Sequence, residues 1–112
     1  MSLTSTMHAQ TQVITVNADR IDAAMAIRFK EEMRVETESA PDRVILDLTS
    51  VQFIDSSGLG AIVASMKQLG GNRRLELAGL TPVVVKVFRL TRMDTVFTLH
   101  PTLGDAIAKC AG

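Results

Sequence analysis

Asp55-Ser56-Ser57-Gly58-Leu59-Gly60 sets two adjacent hydroxyls directly after a carboxylate, among residues small enough to leave backbone exposed. Apolar Val51-Gln52-Phe53-Ile54 precedes it and Ala61-Ile62-Val63 follows, so the stretch reads as a buried strand end, a tight turn and a helix start. A helix start presents backbone N–H groups that lack intrahelical partners, at the positive end of the helix dipole. An anion is stabilised there, so charge can act as a signal at that end of the helix. Three chemistries compete for these residues. Either serine can act as a helix N-cap, a role for which Ser is among the best residues and which contributes about 1 kcal/mol. A serine nucleophile fits poorly, because the Gly-x-Ser-x-Gly elbow would need glycine where Ile54 stands. A phosphate-cradling loop fits no better, since Gly58 and Gly60 are not followed by Gly-Lys-Ser/Thr.

Elements on both sides must hold that turn in place. Gln10–Val16 is β-branched and of strand length, and a fragment from Leu3 to Met7 can pair with it. Asp22 stands as an N-cap before a helix predicted to run to about Glu38, where Ser39-Ala40-Pro41-Asp42 breaks it; Met25, Phe29 and Met33 line one face. Arg43–Leu48 is short and apolar, as a central strand covered on both faces would be. The helix after Ser57 carries Leu59, Ile62, Val63, Met66 and Leu69 on one face and stops at Gly70-Gly71-Asn72. Arg74–Ala78 alternates as a strand, and Thr81-Pro82 opens a helix with Val84, Val87 and Phe88 inward. Val96–Leu99 is predicted as a last strand. Thr102 and Asp105 then resemble a capping box ahead of Leu103, Ala106, Ile107 and Cys110. Strands alternating with helices imply βαβ crossovers, hence an α/β fold with a mostly parallel sheet of four or five strands and about four helices. In such sheets sites lie beyond the carboxyl ends of the strands, which is where Asp55-Ser56-Ser57 falls and where Asp22 could join it.

Composition narrows the classes further. One domain over residues 1–112 is expected, with residues 1–10 polar and Met7 placed where a native start could follow a short added leader. Twelve basic residues balance twelve acidic ones, and Trp and Tyr are absent, so neither electrostatics nor stacking favours nucleic acid as a partner. No apolar run approaches the ~20 residues that span a bilayer, and no secretory signal opens the chain, so the expected compartment is the cytoplasm. The single Cys110 agrees with that compartment and reads as a core filler. His8 and His100 have no Cys, Asp or Glu at ligand spacing, so no metal is expected, and Arg73-Arg74 reads as a solvated strand start.

Val51-x-Phe53-Ile54-Asp55-Ser56-Ser57-Gly58-Leu59-Gly60 resembles the signature of the STAS domains, in particular the bacterial anti-sigma factor antagonists. Ile21-Asp22, the Val44–Leu48 strand, the Gly70-Gly71 turn and Pro82 fall where that family has them. The resemblance implies a non-enzymatic binding module without cofactor, which captures an anti-sigma factor serine kinase and so frees a sigma factor. It implies phosphorylation of Ser56 by that kinase, reversal by a phosphatase, and a partner surface of Asp22, Asp55, Ser56, Ser57, Gly58, Leu59 and Gly60. In that reading Asp55 is the recognition carboxylate and Ser57 holds the turn. Added charge and bulk at Ser56 would then act locally at the contact surface and leave the fold intact. The alternative is a STAS subunit that binds a transporter ATPase or a regulatory scaffold without a phosphoswitch. Asp19 stands where the family commonly has glycine, which predicts a reshaped connection beside the site.

Overall fold

The computed structural model describes residues 3–108, so Cys110 lies outside the described residues. Its order is β1 (Leu3–His8), β2 (Thr11–Val16), β3 (Arg20–Ile21), α1 (Ala26–Glu36), β4 (Arg43–Asp47), β5 (Phe53–Ile54), α2 (Ser56–Leu69), β6 (Arg74–Ala78), α3 (Pro82–Leu90), a 3₁₀ turn at Met93–Thr95, β7 (Leu99–His100) and α4 (Leu103–Ala108). The main sheet runs β1-β2-β4-β6-β7. It is mixed: β1 is antiparallel to β2, while the other three ladders are parallel.

Alternation along the strands builds two cores of unequal size. Ile14, Leu46 and Leu77 pack on the side that receives Phe29 and Met33 of α1, Ile62 and Leu69 of α2, and Val84 and Phe88 of α3. Each such fully buried side chain contributes about 1.5–3 kcal/mol, and together they press three helices onto one face. Phe97 closes that core edge-on to Phe88, with ring centroids 6.0 Å apart. The opposite face carries Val13, Ile45 and Ala78 under Ala106 of α4. The strand of residue 43 onward is thus covered on both faces, as its continuous apolar run predicts.

Three boundaries differ from expectation. The first helix starts at Ala26, not after Asp22; the Asp22 carbonyl accepts the Met25 N–H to form a turn, and Met25 holds the N-cap position with no side-chain bond. Its end comes two residues early, because the Thr37 hydroxyl and N–H both turn back to the Met33 carbonyl. The last strand is Leu99–His100, not Val96–Leu99, since the N–H groups of Val96 and Phe97 are spent on the Met93 carbonyl. One ladder was not expected at all. Ile21 of β3 pairs with Ile54 of β5 in a separate two-stranded parallel sheet.

Candidate functional site

That small ladder is what positions the Asp55-Ser56-Ser57 turn. Asp55 emerges from β5 with extended backbone, and its N–H reaches the Ile21 carbonyl across the ladder. Asp55, not Ser56 or Ser57, is the N-cap of α2: its Oδ1 accepts the Gly58 N–H at 2.8 Å. Its Oδ2 accepts the Ala23 N–H at 3.0 Å, so one carboxylate joins the turn after β3 to the start of α2. The carboxylate expected to face a partner therefore has both oxygens engaged within the chain, and Asp55 is half-buried. Ser56 and Ser57 follow it in the first turn of α2, both exposed.

The glycines divide. Gly58 is buried, and a Cβ there would lie 2.0 Å from the Ile21 carbonyl oxygen, so it serves the close approach of α2 to β3. Gly60 is exposed with open space around it. Leu59 between them is half-buried against the main core. Asp22 lies one residue from Ala23 and thus beside Asp55, with its carboxylate 3.9 Å from Arg20. Of the predicted surface, Ser56, Ser57 and Gly60 are exposed, Asp22 and Asp55 border them, and Gly58 and Leu59 face inward. Asp19 has no positive φ and its carbonyl accepts the Gln52 N–H at 2.7 Å, so the link into β3 does not require a glycine's conformation.

A turn of this composition at the head of a helix identifies little until the whole chain is weighed with it. The STAS domain family profile matches residues 4–106. This chain is a STAS domain of the anti-sigma factor antagonist family. It is 30% identical over 89 residues to an anti-sigma-B factor antagonist of Listeria monocytogenes, covering 79% of this chain and 78% of that protein. The anti-sigma-F factor antagonist RsfB of Mycobacterium tuberculosis is 24% identical over 112 residues, which are 100% of this chain and 91% of the relative. Among solved structures, an anti-sigma factor antagonist from Mycobacterium paratuberculosis superimposes with a TM-score of 0.87 at 25% identity, covering 99% of this chain and 94% of the other. No helix among the described residues of this STAS domain is long and apolar enough to cross a membrane.

The STAS domain also holds polar groups that the sequence reading missed. On the α4 side of the sheet, Arg43 grips Glu76 with two bonds of 3.0 and 2.6 Å, and donates to the Ala106 carbonyl at 3.1 Å. His100 Nε2 sits 2.7 Å from the same carboxylate. Burial, the largest single influence, pushes the Glu76 carboxyl up, but hydrogen bonds and charge from Arg43 and His100 together outweigh it and hold the group at about 2. A carboxylate so held accepts only, so Nε2 carries the proton in the bond to it. The available signal was parity, since Arg43 and Ile45 share a face of β4 as Glu76 and Ala78 share one of β6. Arg73 was read as solvated, yet it donates to the Thr37 and Leu69 carbonyls at the ends of α1 and α2.

Proposed function

We propose that this protein is an anti-sigma factor antagonist that binds a serine-kinase anti-sigma factor while Ser56 is unmodified, and that phosphorylation of Ser56 ends the binding. The observation that carries the reading is the placement of an exposed Ser56 as the first residue of α2, directly after a cap that already bears a negative charge. Asp22, Asp55, Ser56, Ser57 and Gly60 form the contact surface, with Gly58 and Leu59 setting its position from within. A phosphate adds about −1.5 to −2 charges there. The N-terminal N–H groups of α2 tolerate that anion, so the fold persists. A partner meets something else: a cluster of like charges beside Asp55 and Asp22, and bulk where close approach is needed. A phosphatase resets the surface.

Incubation with the cognate kinase and ATP should add one phosphate, at Ser56. Ser56→Ala should bind the kinase and stay unlabelled, and Ser56→Asp should lose binding while its amide shifts change only around the turn. Labelling that persists in Ser56→Ala, or shifts spread across the sheet in Ser56→Asp, would refute the scheme.

A further inference from the structure

The two edges of the main sheet are not alike. β7 forms one of them with only Leu99 and His100, too short a strand to offer another chain a ladder. At the other, β1 runs Leu3–His8 in unbroken register with β2, and among the described residues nothing pairs with its outer side. Thr4, Ser5, Thr6, Met7 and His8 are all exposed. Charge, proline or a bulge usually blunts such an edge. Here no Lys, Arg, Asp or Glu stands before Asp19 and no Pro before Pro41, and the ladder is one-to-one throughout. The hairpin decides which backbone groups are free. Its loop is Ala9-Gln10, with Ala9 at φ 56°, and a two-residue loop closes on a hydrogen-bonded pair, here His8 and Thr11. Alternation then commits the N–H and C=O groups of Thr4, Thr6 and His8 to β2 and aims those of Leu3, Ser5 and Met7 outward.

Side-chain parity narrows what can pair there. Leu3, Ser5 and Met7 share the helix-bearing face of the sheet, since Leu3 and its partner Val16 both pack in the core on that side. We propose that a second copy of this chain pairs on this edge, β1 antiparallel to β1, about a two-fold axis through Ser5. That register sets Ser5 opposite Ser5 and Leu3 opposite Met7 in both directions, so every outward N–H and C=O meets a complement, in roughly six hydrogen bonds. It also gives Met7, 56% exposed in the single chain, an apolar neighbour, while Thr4 faces Thr6 on the other side of the sheet. The lack of charge removes the repulsion that two identical edges would otherwise meet. The helices of both copies stay on one side of one continuous sheet. Because the copies run in opposite directions, their Ser56 turns lie at opposite rims of it. The pairing adds to the proposed function without depending on it.

The test is analytical ultracentrifugation and amide hydrogen exchange of untagged protein from about 20 µM to about 1 mM, where so small a contact is expected to form. The mass should climb from that of one chain toward that of two. Once half of the chains are paired, exchange at Ser5 and Met7 should slow about twofold, while Thr4, Thr6 and His8 stay protected at every concentration. That pattern tests the register without any variant. Ser5→Lys and Ser5→Glu should each stay monomeric, because like charges meet across the axis, and an equimolar mixture of the two should pair again. Met7→Pro should weaken pairing at least about tenfold, since it deletes, once in each copy, an N–H that only the second copy uses. Amide spectra of the dilute variants that match the unaltered chain outside β1 and β2 show that the fold survives. A mass that stays at one chain, protection that rises around exposed Ile27, Val83 or Leu90 in place of β1, pairing indifferent to Ser5→Lys, or a mixture that stays monomeric would each overturn the proposal.

Discussion

Gly58 and Gly60 lie two residues apart in one helix and call for opposite consequences of the same substitution. Gly58→Ala drives a methyl into the Ile21 carbonyl, and neither backbone can yield without disturbing the β3–β5 ladder. A loss of about 1–3 kcal/mol is expected from such overpacking, measured by urea unfolding. Gly60→Ala meets open space and removes a flexible residue from a helix interior, so the same measurement should show a gain of about 0.5–1 kcal/mol. Within the proposed function, Gly60→Ala should weaken kinase binding while it stabilises the fold. At this scale the turn is legible in the sequence but its cap is not. The cap was expected on one of the two serines, but Asp is as good an N-cap as Ser, so residue type alone does not keep it there. The Gly58 N–H decides it for Asp55.

Elements depend on ties that bridge them, and Asp55 is the tie between α2 and the turn preceding α1. Asp55→Ala removes the cap and leaves the Ala23 N–H without its acceptor. A destabilisation of about 1–2 kcal/mol is expected in chemical denaturation, with Ala23 and Gly58 amides gaining the largest hydrogen-exchange rates. Asp55→Asn offers one carbonyl oxygen where two N–H groups need acceptors, so exchange should rise at one of the two sites more than the other. Elements with many residues could be read from the chain because their period repeats: α2, β4, β6 and the Pro82 start of α3 all stand where apolar spacing and Gly or Pro punctuation place them. β3 and β5 have two residues each, too few for any period, and exist because Ile21 and Ile54 are both buried beneath α2. Val96-Phe97 looked like strand because both are apolar and one is β-branched. A local turn took their N–H groups first.

Across the molecule, the Arg43–Glu76–His100 cluster couples three strands to α4 and makes stability depend on acid. The Glu76 carboxyl sits at about 2 in the fold against 4.5 for the free side chain. Between those values the unfolded chain takes up a proton that the folded chain refuses. The cluster's pH-linked contribution, on the order of 3 kcal/mol, is therefore complete above about pH 4.5 and declines as pH falls toward 2. Glu76→Gln should flatten that part of a stability-against-pH curve. At neutral pH it should also lower stability by several kcal/mol, because the half-buried Arg43 loses the charged partner that offsets its desolvation.

The antiparallel β1 has a practical consequence for every such measurement. Leu3 pairs with Val16 and His8 with Thr11, so the chain enters the sheet at the edge where β2 leaves it toward Asp19 and Asp22. An affinity tag or fusion partner placed ahead of Leu3 would join the chain at that end of the sheet, the end from which β2 leads toward Asp22 and the turn tied to Asp55. Capture through such a handle would hold the protein by the end of the sheet that leads to the face under study, and a cleaved sample is the one to assay.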